Sequence, residues 1–320
     1  MTSPALAIKK SPVKNGGGGM ERIRTQVRVV EVGPEEDGRK LLSFLEARLG
    51  RLPSGLYMRL VRSGRIRLDG RRCKPFDRVQ AGQKVRIPPV EVERKEEPLP
   101  RGSLSIVHED GDMLVINKPA GLPVHPGTGW TDSVHGRLDV WQPRPIPVHR
   151  LDRDTSGLLL CAKTHRFLRS MHSVWHMVTK AYVCWVEGLW PHGSWHTVIS
   201  ELGKTGTPRG ERMCSGHGRR AVSHVHPLRK KDGRTLLVVV LGTGRTHQIR
   251  VHLTDSGHPI VGDAKYGHGQ GLLLHAAVLR WPGHSFSALP EWPGPFAPER
   301  GCEEEIFSLL AENFPGREDI

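Results

Sequence analysis

Residues 147–162 read PVHRLDRDTSGLLLCA, a polar cluster that runs directly into an apolar segment. The apolar end, LLLCA, has the length and composition of a buried strand. The polar side chains are therefore expected at the mouth of that strand, since functional groups are commonly presented on loops by a rigid scaffold. Asp152 is the candidate reactive group, because Arg150 and Arg153 beside it favour the ionised carboxylate. An ionised carboxylate can act as a nucleophile, as a base or as a metal ligand.

Two alternatives remain open for this cluster. The first is a purely structural pair between an arginine and an aspartate, which side chains of opposite charge readily form at a surface. The second is that Asp154 is the reactive acid in place of Asp152, since residues two apart in an extended segment share a face.

A second cluster, residues 242–253, reads GTGRTHQIRVHL. Its Gly-x-Gly lacks the third glycine of a dinucleotide-binding loop, so the pattern does not predict a nucleotide site. Ile249 and Leu253 are four residues apart, which predicts a helix. Such a helix places His247 and Arg250 about one turn apart.

The composition bounds the class of protein. The chain has 320 residues, with 47 Lys and Arg against 33 Asp and Glu and a formal net charge of +14. This length suggests about two domains, and the positive excess favours a polyanionic partner such as a phosphate backbone. No apolar run reaches the ~18 residues of a membrane span, and the start lacks the apolar core of a signal peptide, so we expect no membrane association. Five scattered cysteines without a C-x-x-C pair indicate reduced thiols in a cytoplasm.

Positive charge is concentrated in residues 39–90, which hold 14 Lys and Arg but 3 Asp and Glu. Apolar residues between positions 41 and 49 fit one helical face, and Ser54 can cap a second helix. Asp69 and Gly70, within RIRLDGRRC, predict a β-hairpin. The alternative to nucleic-acid binding is a solvated, arginine-rich face. We predict that these elements present RNA-binding arginines close together: Arg59, Arg62, Arg65, Arg67, Arg71 and Arg72.

Residues 36–90 resemble the small RNA-binding module named after small-subunit ribosomal protein four. The resemblance depends on the run RSGRIRLDG at residues 62–70 and on AGQKV at residues 81–85.

Four motifs of the remaining chain occur together, namely KPAGLPVHPG, HRLDRDTSGL, LGTGRTHQIRVHL and GHPIVGDAKYG. In this order they resemble the RluA-type family of RNA pseudouridine synthases, over roughly residues 104–282. Many members of that family carry the small RNA-binding module in front, so the two resemblances support each other. Residues 189–217 follow the family pattern only loosely, and residues 218–223 read GRRAVS in place of the usual GKxAxT.

The resemblance implies roles for individual residues. It matches the catalytic aspartate to Asp152, the base-stacking tyrosine to Tyr182, and the arginine that pairs with the catalytic carboxylate to Arg250. It also matches Arg150 to the residue that occupies the helix stack once the target uridine leaves. We add His247 as a further RNA contact.

The implied reaction converts uridine to pseudouridine, by breaking the bond between base and sugar, rotating the base and rejoining it through carbon-5. No group is oxidised or imported, so we expect no cofactor. The base must first leave its stack, and stacking on an aromatic side chain can return ~1–3 kcal/mol of that cost. A metal site is not predicted, because His172 and His176 have the four-residue spacing but lack the glutamate of H-E-x-x-H.

The expected fold is α+β. A small αα-β RNA-binding module precedes a pseudouridine-synthase-like domain with a large, mainly antiparallel, bent sheet flanked by helices, and the sheet topology is what the resemblance implies. The predicted parts are a disordered basic tail and lead-in at residues 1–35, the module at 36–90, a linker at 91–102, the catalytic domain at 103–300 and an acidic tail at 301–320.

The expected function is an RNA pseudouridine synthase that acts as a cytoplasmic monomer on structured RNA. Ribosomal RNA of the large subunit is favoured as the substrate over transfer RNA. The alternative is a non-catalytic RNA-binding factor for ribosome assembly that retains the same fold.

Overall fold

The computed structural model describes residues 21–24, 27–49, 54–89, 91–94, 102–126, 132–207 and 210–311. The chain forms two compact units, residues 1–99 and residues 100–320. The sequence-based domain limits stay predictions. Within the described ranges, no helix is long and apolar enough to cross a membrane.

The first unit combines two helices with two small sheets. One sheet has the strand order β2-β5-β3-β4, and the other pairs β1 with β6 in antiparallel fashion. Its described elements are β1 (Glu21–Arg24), β2 (Arg28–Glu31), α1 (Leu41–Leu49), α2 (Ser54–Arg62), β3 (Arg67–Leu68), β4 (Arg71–Arg72), β5 (Lys84–Ile87) and β6 (Glu91–Arg94).

The pair of β1 and β6 differs from the sequence-based expectation. β1 lies in residues 1–35, predicted as a tail and lead-in, and β6 lies in residues 91–102, predicted as a linker. Each strand has only four residues with a single apolar residue in its sequence, so neither shows the repeated alternation that identifies a strand. Their pairing joins segments far apart in the chain, and local patterns carry no information on it.

The helices and the hairpin of the first unit follow the sequence pattern. Leu41, Phe44 and Leu45 of α1 are fully buried against the apolar side of α2. Asp69 and Gly70 have φ values of 48° and 77°. Two successive positive φ angles are those of a type I′ turn, which suits a two-residue hairpin.

The second unit is built on an eleven-stranded sheet. Nine strands form the order β13-β12-β14-β15-β11-β16-β10-β8-β7, while β9 pairs with β10 and β17 pairs with β16. Its described elements are β7 (Ser105–Glu109), β8 (Met113–Lys118), α3 (Val134–Arg137), β9 (Ile146–Pro147), β10 (Ser156–Ala162), α4 (His165–Val174), β11 (Thr179–Glu187), β12 (His196–Thr207), β13 (Gly210–Ser215), β14 (Arg219–Lys231), β15 (Arg234–Leu241), α5 (Gln248–Asp255), β16 (Leu274–Trp281), β17 (His284–Ser287) and α6 (Cys302–Ala311).

Apolar side chains cover both faces of this sheet. Along β10, Leu159 and Cys161 belong to one core cluster, whereas Leu158 and Leu160 belong to another. A strand buried on both faces needs an unbroken apolar run, which explains LLLCA. The predicted α+β fold with a large, mainly antiparallel sheet is confirmed.

One strand pair of the large sheet is parallel, and it lies next to the Asp152 loop. β10 and β16 pair through Ser156 with His275 and through Gly157 with Ala276. Gly157 has a φ of 109°, and a Cβ added there would collide with the backbone of Ala276. Only glycine tolerates this conformation and this approach, so the SG in DTSGLLL fixes where the loop ends and the strand begins.

Helix α6 occupies part of the predicted acidic tail. Its Cys302, Ile306 and Leu310 are buried in the cluster that covers one face of the sheet. Apolar residues at this spacing form one helical face, and the acidic residues Glu303, Glu304 and Glu305 fill its first turn, where they suit the helix dipole. The packed part of this unit therefore extends beyond residue 300.

Candidate active site

Asp152 lies in the loop that leads into β10. The backbone N–H of Thr155 donates to the carbonyl of Asp152 at 3.2 Å, which closes the turn. The Asp152 side chain is 18% exposed, and its Oδ2 lies 3.7 Å from Nε2 of His247 and 3.9 Å from Nη1 of Arg250. The nitrogen-bearing side chains that face the carboxylate therefore come from the start of α5, far along the chain.

The arginine that faces the Asp152 carboxylate in space is Arg250, whereas the sequence-based interpretation used Arg150 and Arg153, its neighbours in the sequence. Arg153 forms a two-point ion pair with Asp154, with N–O distances of 2.7 and 2.8 Å. Arg150 is exposed. Residues 152–155 form a hydrogen-bonded turn, in which side chains adjacent in the sequence need not share a direction. Asp154, the rival acid, is engaged by its neighbour.

An open cleft of about 110 Å³ lies in front of Asp152. Tyr182 and Arg250 line this cleft, as do Arg150 and His247. Tyr182 extends from β11 and is 9% exposed. Burial raises the pKa of its hydroxyl, and the charge of Asp152 raises it further, so Tyr182 is a neutral phenol at physiological pH. The structure thus brings together five of the residues selected from the sequence.

Arg250 is held by Asp263 at closer range than by Asp152. Its Nε and Nη2 donate to the two carboxylate oxygens of Asp263 at 2.8 and 2.7 Å. Asp263 also accepts the backbone N–H groups of Lys265 and Tyr266, both at 2.9 Å. Burial by itself would raise the pKa of the Asp263 carboxyl, but Arg250 and these N–H groups hold it below its ordinary value. Asp263 therefore fixes the guanidinium that faces Asp152.

His247 occupies the N-cap of α5 in the left-handed conformation, with a φ of 54°. Its Nδ1 lies 2.7 Å from the hydroxyl of Tyr266. The helix begins at Gln248, whose side-chain Oε1 accepts from the backbone N–H of Arg245 and from the hydroxyl of Thr243. These bonds fix the turn before the helix and aim His247 into the cleft.

A buried lysine supports the Asp152 loop from within. Lys118 ends β8 and is fully buried, and its Nζ donates to the carbonyls of Pro119, Leu122 and Arg153 at 2.8 to 3.0 Å. Burial lowers the pKa of this ammonium to about 7, against the opposing effect of the nearby aspartates 154 and 152. The lysine joins the loop of the KPAGLP motif to the loop of the HRLDRD motif.

Sequence reasoning missed Asp263, Tyr266 and Lys118 as site residues. Each lies in a motif that was identified, but a local pattern does not reveal which of its polar residues turns inward. The buried bidentate pair of Arg250 and Asp263 could not be inferred from spacing alone.

The predicted RNA-binding arginines of the first unit, at positions 59, 62, 65, 67, 71 and 72, are all exposed there. Leu60 and Val61 of the same helix are buried, so α2 presents its arginines on the solvent side. Their contact with RNA stays a prediction.

The side chains of the cleft suit a reaction on a planar group, because an aromatic ring can stack on such a group and a carboxylate can react with it. A carboxylate with a guanidinium and an imidazole beside it faces a cleft that a tyrosine ring also lines. In the ranges that the structure describes, no set of three His, Cys, Asp or Glu side chains is placed to hold a metal ion.

Comparison with known proteins identifies the family. The model of the RNA pseudouridylate synthase family matches residues 112–255. The chain is 36% identical to ribosomal large subunit pseudouridine synthase C of Vibrio parahaemolyticus over 287 residues, which cover 82% of this chain and 90% of that protein. The protein of the same name from Escherichia coli K12 is also 36% identical, over 82% of this chain and 91% of its own length.

A solved structure is similar as well. The human RNA pseudouridylate synthase domain containing 1 superposes with a TM-score of 0.55 at 25% identity, over 70% of this chain and all of that one. The fold, the family match and the identity to full-length relatives agree. The chain therefore belongs to the RNA pseudouridylate synthase family and is an RNA pseudouridine synthase, an isomerase.

Proposed function

We propose that this enzyme isomerises uridine in ribosomal RNA of the large subunit, with Asp152 as the catalytic carboxylate. The observation that supports this role best is the cleft that these residues share. In it, Oδ2 of Asp152 lies 3.9 Å from Nη1 of Arg250, and Tyr182 lines the same cleft. The substrate class is taken from the names of the curated relatives. The curated relatives are bacterial, and bacterial ribosomes lie in the cytoplasm, so we place the enzyme in the cytoplasm. The monomeric state stays a prediction.

In the proposed mechanism the target uridine first leaves its helix and enters the cleft. Its base stacks against the ring of Tyr182, which returns part of the unstacking cost. Arg150, exposed at the rim, takes the place of the base in the RNA stack. The arginines of the first unit hold the RNA through its phosphates, which supplies affinity and carries little sequence information.

The chemical step then depends on the ionised carboxylate of Asp152. It either attacks the anomeric carbon of the sugar, forming an ester-like bond that breaks again when carbon-5 attacks that carbon, or removes the 2′ proton, which returns to carbon-2′ as the new bond forms. Both routes break the bond between the anomeric carbon and N1 of the base. After rotation a bond forms from the anomeric carbon to carbon-5, the proton on carbon-5 passes to solvent, and N1 gains a proton. The guanidinium of Arg250, 3.9 Å away, orients the Asp152 carboxylate.

The experiment compares Asp152→Asn with Asp154→Asn. The substrate is a large-subunit ribosomal RNA transcript that carries tritium at carbon-5 of uridine, because each isomerisation releases that label to water. Asp152→Asn should reduce tritium release to background while RNA affinity remains, since binding is spread over many cations. Asp154→Asn is the matched control, because Asp154 pairs with Arg153, and it should remain active.

Two outcomes would contradict the proposal. Appreciable turnover by Asp152→Asn would exclude the catalytic role of that carboxylate. Release from a transfer RNA transcript, with none from large-subunit ribosomal RNA, would exclude the proposed substrate.

A further inference from the structure

A chain of polar groups runs from the edge hairpin of the large sheet to Asp152. The backbone N–H of Met213, in β13, donates to the hydroxyl oxygen of Tyr266 at 3.1 Å. The same hydroxyl lies 2.7 Å from Nδ1 of His247, and Nε2 of that imidazole lies 3.7 Å from Oδ2 of Asp152. The imidazole therefore stands between a tyrosine hydroxyl and the catalytic carboxylate.

The donors and acceptors of this chain select one tautomer of His247. The Tyr266 oxygen already accepts from Met213, and its single proton needs an acceptor, which Nδ1 of His247 provides at 2.7 Å. With Nδ1 as an acceptor, a neutral imidazole must hold its proton on Nε2. The opposite tautomer would leave the tyrosine proton without this acceptor and would turn the Nε2 lone pair toward a carboxylate. Both ends of the ring thus favour the proton on Nε2.

We infer that His247 is a positioning residue, fixed by the Tyr266 hydroxyl in the tautomer whose Nε2–H is aimed at the carboxylate of Asp152. This inference rests on the proposed role of Asp152. The positive guanidinium of Arg250 and the N–H of His247 then both point at the carboxylate. The present separation of 3.7 Å is longer than a hydrogen bond, and contacts of this kind commonly tighten once substrate is bound.

The surroundings of His247 are consistent with a neutral ring. Burial lowers its pKa, Asp152 and Asp263 oppose that shift, and Arg250 and Lys265 add to it. The ring of Tyr266 lies under two guanidinium groups, since Arg212 and Arg250 are 4.6 and 5.0 Å from its centroid. These contacts hold the tyrosine in place independently of its hydroxyl, so Tyr266→Phe should keep the ring where it is.

The test combines four variants of the full-length enzyme: Tyr266→Phe, His247→Ala, His247→Gln and the double variant of Tyr266→Phe with His247→Ala. Single-turnover rates at saturating enzyme report the chemical step, and RNA affinity is measured separately. Tyr266→Phe should slow the chemical step about tenfold, the value of one directed hydrogen bond, with affinity within about twofold of the unmodified protein. His247→Ala should slow it at least as much.

The discriminating result is the coupling between the two positions. If Tyr266 acts through His247, the double variant should be no slower than His247→Ala alone. His247→Gln should be faster than His247→Ala, because the amide nitrogen of glutamine can donate from nearly the position of Nε2. Exposed His268→Gln is the matched control for the loss of an imidazole.

Nitrogen-15 NMR of labelled histidine supplies a readout that does not depend on activity. The His247 signals are assigned as those absent from His247→Gln. They should show a protonated Nε2 in the unmodified protein and a mixture of tautomers in Tyr266→Phe.

A protonated Nδ1 in the unmodified protein would overturn the inference, as would additive effects of the two substitutions. Either result would leave the role of Asp152 untouched. Turnover by Asp152→Asn would instead refute the proposed function, so the two failures are distinguishable.

Discussion

The guanidinium of Arg250 is oriented by a carboxylate that does not face the cleft. Asp263 is completely buried and binds Arg250 at two points, so the ion pair behaves as one rigid group. Breaking a buried pair leaves an uncompensated charge, which is far more costly than losing a surface pair. The position of Arg250 beside Asp152 therefore depends on Asp263.

We predict that Asp263→Asn damages both stability and catalysis. The amide would present a donor to the guanidinium, so the free energy of unfolding should fall by about 3 kcal/mol. The single-turnover rate should fall more than about tenfold, because Arg250 loses its fixed orientation. Urea unfolding measures the stability of the Asp263→Asn variant, and tritium release measures its single-turnover rate.

The matched control is Asp132→Asn, which also removes a carboxylate whose two oxygens both accept from an arginine, Arg137. That pair is partly exposed, so a smaller loss of stability and an unchanged rate are expected. Equal effects of the two substitutions on the rate would contradict the specific role of Asp263.

How much of the site could be predicted differs from residue to residue. Asp152 and Arg250 stand in two of the quoted motifs, Tyr182 was matched through the family resemblance, and all three line one cleft. The partners of Arg250 and His247 could not be predicted, because Asp263 and Tyr266 reach them through a loop whose path depends on packing. The left-handed backbone of His247 was also hidden, since it follows from the turn bonds of Gln248.

At the scale of the elements, two loops are joined by one buried side chain. The three carbonyls that accept from Lys118 belong to residues 119, 122 and 153, and the lysine ammonium has three N–H bonds, one for each of them. The loop that carries Asp152 is thus tied to the end of β8. Residues 119–126 and 148–155 of these loops belong to no helix or strand whose backbone hydrogen bonds could supply that support.

Lys118→Met should keep the volume and remove all three hydrogen bonds. Leaving buried acceptors without partners costs about 1–3 kcal/mol each, so unfolding free energy should fall by about 3 kcal/mol or more. Catalysis should slow as well, because the loop of Asp152 loses its tie. Lys163→Met is the control, since that lysine binds Glu109 at the partly exposed surface, and it should change stability by less than about 1 kcal/mol. Similar losses from the two methionine variants would refute the buried tie.

Two buried histidines on different elements should make the enzyme sensitive to acid. His252 of α5 is bonded to Ser223 and Ser200, and His275 of β16 is bonded to Ser156 and to the carbonyl of Ala288. Burial lowers the pKa of each imidazole to about 4. The unfolded chain takes up these protons near pH 6.5 and the folded chain does not, so stability falls as pH drops from about 6.5 toward 4.

The expected loss between pH 7 and pH 5 is about 2 kcal/mol for each of these histidines. Tryptophan fluorescence follows this unit selectively, because all eight tryptophans lie beyond residue 100. His252→Gln should reduce the difference in unfolding free energy between the two pH values, whereas exposed His268→Gln should not. An unchanged difference in His252→Gln would show that His252 already titrates normally in the folded protein.

The elements that the sequence predicted are those with a local signal. The helical faces of α1 and α2, the hairpin turn at Asp69 and the apolar strand β10 were all visible as patterns. The parallel pairing of β10 with β16 and the pairing of β1 with β6 were not, because they join distant segments through the backbone. Helix α6 lies in the predicted acidic tail, because the three glutamates of its first turn resemble the composition of a tail.

For the whole molecule, charge and chemistry are distributed over different units. Residues 39–90 hold 14 basic and 3 acidic residues, or +11 of the total +14, and none of the residues assigned to the reaction. Exposed arginines lie on α2, at positions 59 and 62, and on the β3–β4 hairpin, at positions 67, 71 and 72. A unit with such a composition suits binding to phosphates through counterion release, which is strongly dependent on salt.

We therefore predict that neutralising two of these arginines weakens RNA binding without affecting the chemical step. Arg71→Gln with Arg72→Gln removes two exposed cations from β4, and Lys230→Gln with Lys231→Gln removes the same charge from the end of β14 as a control. Each phosphate contact contributes about 0.7 to 0.9 to the slope of log affinity against log salt. The slope measured for the arginine variant should therefore be shallower by about 1.5 than that of the unmodified enzyme. Its single-turnover rate at saturating RNA should equal that of the unmodified enzyme, because no reacting group has changed. If the lysine variant alters the slope equally, affinity depends on total charge, and the first unit has no special part in docking the RNA.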